Sequence, residues 1–150
     1  MKIKNTFRFI LLTIIVISTF VSCHNDESKN TVDDVADTVK EGSWRISYFN
    51  NSGTVETENY EGYNFVFGDN AVVTASKETN TYNGQWFVNE STSDDDLFST
   101  IFKISIGPNE LFQNINRDWK LMDNSGSTLM LKDDSKGEKA IDYLTFEKIE

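Results

Sequence analysis

Gly42-Ser43-Trp44-Arg45-Ile46-Ser47-Tyr48-Phe49 decides how this 150-residue chain is read. Trp44, Ile46 and Tyr48 alternate with Arg45 and Ser47, the two-residue period of a strand with one face against a core. Asn50-Asn51-Ser52-Gly53 then has the composition of a turn. The same rhythm continues downstream. Tyr63, Phe65 and Phe67 alternate with Asn64 and Val66, and Gly68-Asp69-Asn70 turns the chain toward Ala71 and Ala75. Tyr82, Gly84, Trp86 and Val88 share one parity, as do Phe98, Phe102, Ile104 and Ile106. Trp119 with Leu121, Leu129 with Leu131, and Leu144 with Phe146 complete the series. Short strands punctuated by Gly, Asn and Asp turns read as an all-β meander. About eight strands in about 110 residues fit a small antiparallel barrel or a tight sandwich.

Two segments depart from this period. Residues 31–41 read as a helix: Thr31 caps, Asp33 and Asp34 suit the positive end of the dipole, and Val32, Val35, Ala36 and Val39 form one stripe. Gly42 ends it. One apolar face of this length suits a helix lying on a barrel end or bridging a tether to the domain. The other segment begins at Pro108, where Pro at a first helical position and Leu111, Phe112 and Ile115 on one face predict a short helix between strands.

Gly42-Ser43-Trp44 opening the first strand behind a helical turn resembles the opening of the lipocalins. Tyr82-Asn83-Gly84-Gln85-Trp86, Pro108-Asn109-Glu110-Leu111-Phe112 and Asp142-Tyr143-Leu144-Thr145-Phe146-Glu147-Lys148-Ile149 follow in order. With the leader described next, they resemble the lipocalin-like domain lipoproteins of Flavobacteria and their relatives. The resemblance implies an up-and-down barrel of about eight strands over residues 42–150, with Trp44 closing one end. It also implies a basic residue packed on Trp44, for which Lys148 is the first choice and Arg117 the second. The family runs longer and carries its helix after the last strand. A short barrel filled by its own aromatics would have no cavity.

Residues 1–22 have a different character. Lys2, Lys4 and Arg8 precede an almost unbroken apolar run over residues 9–21, shorter than the roughly 20 residues that span a bilayer. Phe20-Val21-Ser22-Cys23 resembles a bacterial lipobox, so residues 1–22 read as a lipoprotein signal peptide and Cys23 as the lipid attachment site. Cys23 is the single cysteine and can form no intramolecular disulfide. Several acyl chains together make a stable anchor where one does not. Residues 23–41 then serve as acylated tether and short helix. Asp26-Glu27 behind the cysteine resembles the surface-export signal of Bacteroidetes lipoproteins, which gives an outer-membrane protein on the periplasmic or cell-surface face. Removing the leader takes away three cations, leaving 11 Lys+Arg against 24 Asp+Glu and a formal charge of about −13. Such a surface repels nucleic acid.

Chemistry-bearing patterns are sparse. The one histidine, His24, sits on the tether, and no G-x-S-x-G, zinc-ligand spacing or phosphate-cradling Gly loop occurs. The expectation is a non-enzyme without a cofactor. Asp94-Asp95-Asp96 and Asp133-Asp134 are acidic clusters without the spacing of an EF-hand, and read as solvated loops. Asp37-Thr38-Val39 resembles the Bacteroidetes O-glycosylation tripeptide.

Trp44, Tyr63, Phe65, Trp86 and Phe102 are the ligand-lining set, since aromatics line barrel mouths. The same rings also suit barrel plug and core, the reading favoured for large aromatics in a small barrel. Tyr60 and Tyr63 suit an exposed rim, because their hydroxyls tolerate water. Two functions follow. In the first, the barrel binds a small apolar or amphipathic molecule. In the second, it is a protein- or glycan-interaction module with a filled core. Cavity or filled core separates them.

Overall fold

The computed structural model describes residues 31–91, 99–137 and 140–150. Among the described residues nine strands follow one helix: α1 (Val32–Lys40), β1 (Ser43–Asn51), β2 (Thr54–Val55), β3 (Asn64–Phe67), β4 (Val72–Lys77), β5 (Asn80–Glu90), β6 (Thr100–Ile106), β7 (Arg117–Asn124), β8 (Thr128–Asp133) and β9 (Asp142–Ile149). Every neighbouring pair is antiparallel, and β1 pairs with β9 from Ser43↔Ile149 to Asn50↔Tyr143, which closes the sheet. β2 is a two-residue arm on β1, so eight strands form the wall. The expected all-β, closed antiparallel barrel is the observed fold.

Alternation produces the core. Trp44, Ile46, Phe65, Phe67, Trp86, Phe102, Ile104, Trp119, Leu129, Leu131, Leu144 and Phe146 are all buried, each on the parity read from the sequence. A fully buried side chain of this kind contributes about 1.5–3 kcal/mol. Gly84 occupies the inward parity of β5 because nothing larger fits: a Cβ there would lie 2.1 Å from the Ser105 carbonyl oxygen and 2.6 Å from the Ile106 Cα.

Tyr48 departs from the expected parity. A β-bulge between Ile46 and Tyr48 adds one residue against β9, so Phe49 turns inward with 0% exposure and Tyr48 outward with 40%. A second bulge between Leu121 and Asp123 leaves Met122 exposed and brings Asn124 inside. Alternation cannot reveal a bulge, because the extra residue is defined only by the partner strand.

The helix forms as its composition dictates. The Thr31 hydroxyl accepts from the Asp34 amide at 3.3 Å, and Val35 and Val39 are completely buried. Of the two roles open to α1, it takes the first and lies on the barrel. The segment after Pro108 is tighter and shorter than expected. It is a 3-10 turn over Glu110–Phe112, capped by the Asn109 side chain, which accepts from the Leu111 amide. Another 3-10 turn, Thr57–Tyr60, precedes β3. No helix among the described residues is long and apolar enough to cross a membrane.

Candidate functional site

Four of the five residues expected to line a ligand site stand in the core. Trp44, Phe65 and Phe102 are 0% exposed and Trp86 is 6%. Phe67 meets Trp86 at 5.8 Å, Phe102 at 5.5 Å and Phe146 at 5.5 Å between ring centroids, each edge to face. Phe65 meets Phe146 at 5.4 Å in the same manner, and Trp86 stacks on Phe102 at 6.2 Å. These are the separations and angles at which aromatic pairs attract beyond their area burial. Plug and core is therefore where these rings sit. Their polar handles are used internally, for the Trp44 indole donates to the Val39 carbonyl at 2.9 Å and the Trp86 indole to that of Gly68 at 3.1 Å.

Of the two rim residues, only Tyr63 is partly exposed, with the Lys77 ammonium 5.5 Å from its ring. Tyr60 corrects the expectation. It is 2% exposed and its hydroxyl donates to the Leu111 carbonyl at 2.9 Å, joining the two 3-10 turns. Burial pushes its phenol well above the usual range, with Glu56 adding to the effect. A buried tyrosine needs only one partner for its hydroxyl, and Leu111 supplies it.

The two basic residues named for Trp44 divide. Lys148 stands 5.6 Å over the Trp44 ring, while Arg117 stands 5.1 Å over Trp119 instead. Arg117 belongs to a polar network that the sequence did not announce. Its guanidinium donates to Asp142 at 2.5 Å and Asp133 at 3.0 Å, and also to the Asn114 carbonyl. Asp142, with 0% exposure, further accepts from the Ser52 amide at 2.6 Å and the Lys136 ammonium at 3.0 Å. Burial alone would raise this carboxyl, but Lys136, the Ser52 amide and Arg117 together hold it below the ordinary carboxylate range. Asp133 is lowered against burial in the same way by Ser135 and Arg117. Asp134 pairs with Lys120 and Lys132. The Asp133-Asp134 pair is thus occupied by cations of the chain itself, and no group of three possible metal ligands occurs among the described residues.

One concavity lies in the wall of the barrel. A cleft of about 780 Å³ opens where β1 and β3 diverge, reaching inward to Ile46 and Tyr60 and outward to Glu58, Glu61 and Tyr63. Of its members, Tyr63 belongs to the expected ligand-lining set, and Tyr60 and Tyr63 to the expected rim. The others come from β1, from the 3-10 turn through the start of β3 and from the end of β9, segments far apart in the chain that the closed wall brings together. A smaller cleft of about 270 Å³ lies between α1 and the turn before β4, touching Trp86 and Phe87. The hydroxyl of Thr38, the glycosylation expectation, lies on α1 and accepts from the Asn124 side-chain Nδ2 of β7 at 3.2 Å. Cys23, His24, residues 1–22 and Asp94-Asp95-Asp96 with Phe98 lie outside the described residues.

No family model and no curated protein matches the chain. Among solved structures, a DUF4847 family protein from Bacteroides vulgatus is similar at 15% identity, over 77% of this chain and 97% of that one, with a TM-score of 0.48.

Proposed function

We propose that this protein is an exported lipoprotein, held to the outer membrane by lipid on Cys23, whose barrel is a non-enzymatic interaction module with a filled core. The single observation that carries the module reading is the aromatic interior: Phe67 is ringed at 5.5–5.8 Å by Trp86, Phe102 and Phe146. Rings in mutual contact leave their faces and edges to one another rather than to a guest. A carrier of small apolar molecules needs a few hundred Å³ of lined interior. The lipobox-like Phe20-Val21-Ser22-Cys23 and the apolar run before it support the anchor.

An environment-sensitive apolar dye titrated into the fragment of residues 30–150 tests this reading. The module reading expects no saturable uptake, no change in Trp44, Trp86 or Trp119 fluorescence, and no ligand-dependent rise in the unfolding midpoint. Near-unit stoichiometry with a midpoint rise, worth ~2.7 kcal/mol at a hundredfold excess over Kd, would establish an interior ligand site instead.

A further inference from the structure

Among the described residues, β1 has a strand against it on one side only from Arg45 to Tyr48. It pairs with β9 from Ser43 to Asn50, apart from the bulge, but meets β3 at the single position Trp44↔Phe65 and β2 only at Asn50 and Asn51. The far end of the gap is closed by side-chain and turn contacts, since the Phe49 amide donates to the Thr57 hydroxyl at 2.9 Å and its carbonyl accepts from the Glu56 amide at 2.9 Å. Between these points the barrel wall has a seam, and the cleft of about 780 Å³ lies along it. A strand with an open side is a template for another. Four residues of strand span about 13 Å at roughly 3.3 Å per residue, the length of a short extended peptide.

Two further features of the seam specify what fits. Asn64 lines it, and its side-chain carbonyl oxygen is buried without a hydrogen-bond donor among the described residues. Such an acceptor is destabilising until a donor reaches it. The charged groups of the cleft are only partly matched: the Lys77 ammonium beside Tyr63 is bonded to the Glu61 main-chain carbonyl at 2.7 Å, not to a carboxylate. Arg45 is neutralised by Glu147 at 2.6 Å, whereas Glu58 and Glu61, both exposed, have no ion-pair partner among the described residues. Ile46, Tyr63 and Ile149 supply apolar surface between these charges.

We infer that the β1–β3 seam receives an extended segment of a partner protein with alternating basic and apolar residues, which adds as a strand along Arg45 to Tyr48 of β1. Main-chain pairing gives such an addition its affinity, and alternate side chains give it specificity. The basic side chains face Glu58 and Glu61, and the apolar ones reach toward Ile46. This assignment rests on the interaction-module reading and names its surface and partner class.

The test uses the mature acylated protein in phosphatidylcholine nanodiscs and a fluorescein-labelled nonapeptide of alternating Lys and Val. Saturable binding is expected in low salt, weakened about tenfold or more by the double variant Glu58→Lys, Glu61→Lys. N-methylation of alternate peptide amides on one edge should abolish binding, while methylation on the opposite edge leaves it nearly unchanged. Amide resonances of Arg45, Ile46 and Asn64 should shift on titration. Absence of saturable binding overturns the seam assignment. So does undiminished binding by the double variant, equal loss from both methylated peptides, or equal binding of a Glu-Val nonapeptide. None of these touches the module reading, which falls only if the 30–150 fragment takes up apolar dye in its interior.

Discussion

The two ends of the barrel are closed by opposite chemistry. Antiparallel register puts Ser43, Ile149 and Thr128 at one end, with Asn50, Asp142 and Asp133 at the other. At the first end α1 lays Val35 and Val39 on the wall, and Trp44 donates to the Val39 carbonyl beneath Lys148. At the second end two 3-10 turns meet through Tyr60, and Arg117, Lys136 and Ser52 converge on Asp142. The apolar closure draws on residues 35, 39 and 44, close in the chain. The polar closure draws on residues from Ser52 to Asp142, linked by hydrogen bonds 90 positions apart. Apolar burial is non-directional and tolerates local design, whereas a buried carboxylate is tolerable only when several donors converge on it.

The largest break should come from the apolar end. Trp44→Ala is expected to destabilise the domain by about 3–5 kcal/mol in urea unfolding, the usual result of emptying a large aromatic site. A change below about 0.5 kcal/mol with a cooperative transition would mean that α1 and its wall close without Trp44.

At the polar end, Asp142→Ala should cost about 2–3 kcal/mol. That is less than a fully buried pair, because Arg117 at 20% and Lys136 at 47% side-chain exposure regain water when Asp142 is lost. Acid should reproduce part of the effect. The folded-state pKa of Asp142 lies below its ordinary value of 3.8, so its contribution is complete above that value and is lost as pH falls through the lowered one. Unfolding midpoints measured from pH 5 downward should therefore fall more steeply in the native protein than in Asp142→Ala. Parallel pH profiles would show that the network adds nothing to stability.

The smallest effect sharpens the contrast at the helix. Thr31→Ala removes the acceptor for the Asp34 amide and should cost about 1 kcal/mol, with the far-UV β signal intact. Hydrogen exchange should then quicken in α1 while protection around Asp142 stays unchanged. Faster exchange at both ends would mean that the closures are coupled.

The barrel itself was legible in the residues. Trp44-Arg45-Ile46, Phe65-Val66-Phe67 and Leu144-Thr145-Phe146 each place one apolar face by alternation alone, and the Thr31 cap and Val35/Val39 stripe define α1. The inward side of Trp44, Phe65, Phe67, Trp86, Phe102 and Phe146 was legible too, though whether those rings would line a cavity or fill it was not. That depends on the distance across the barrel, and Phe67 at 5.5 Å from Phe102 is a fact about β3 and β6, elements that share no pairing.

Local order along the chain determined the period of each strand and the helix with its cap, because each arises from neighbouring residues, and composition alone determined the net negative charge. Tertiary structure alone decided the bulge that turns Tyr48 out and Phe49 in, the burial of Tyr60, the convergence on Asp142 and the seam between β1 and β3. Each of these depends on which residue stands opposite across a strand pair or a closed wall. That relation is set by register and closure, and no single segment encodes it.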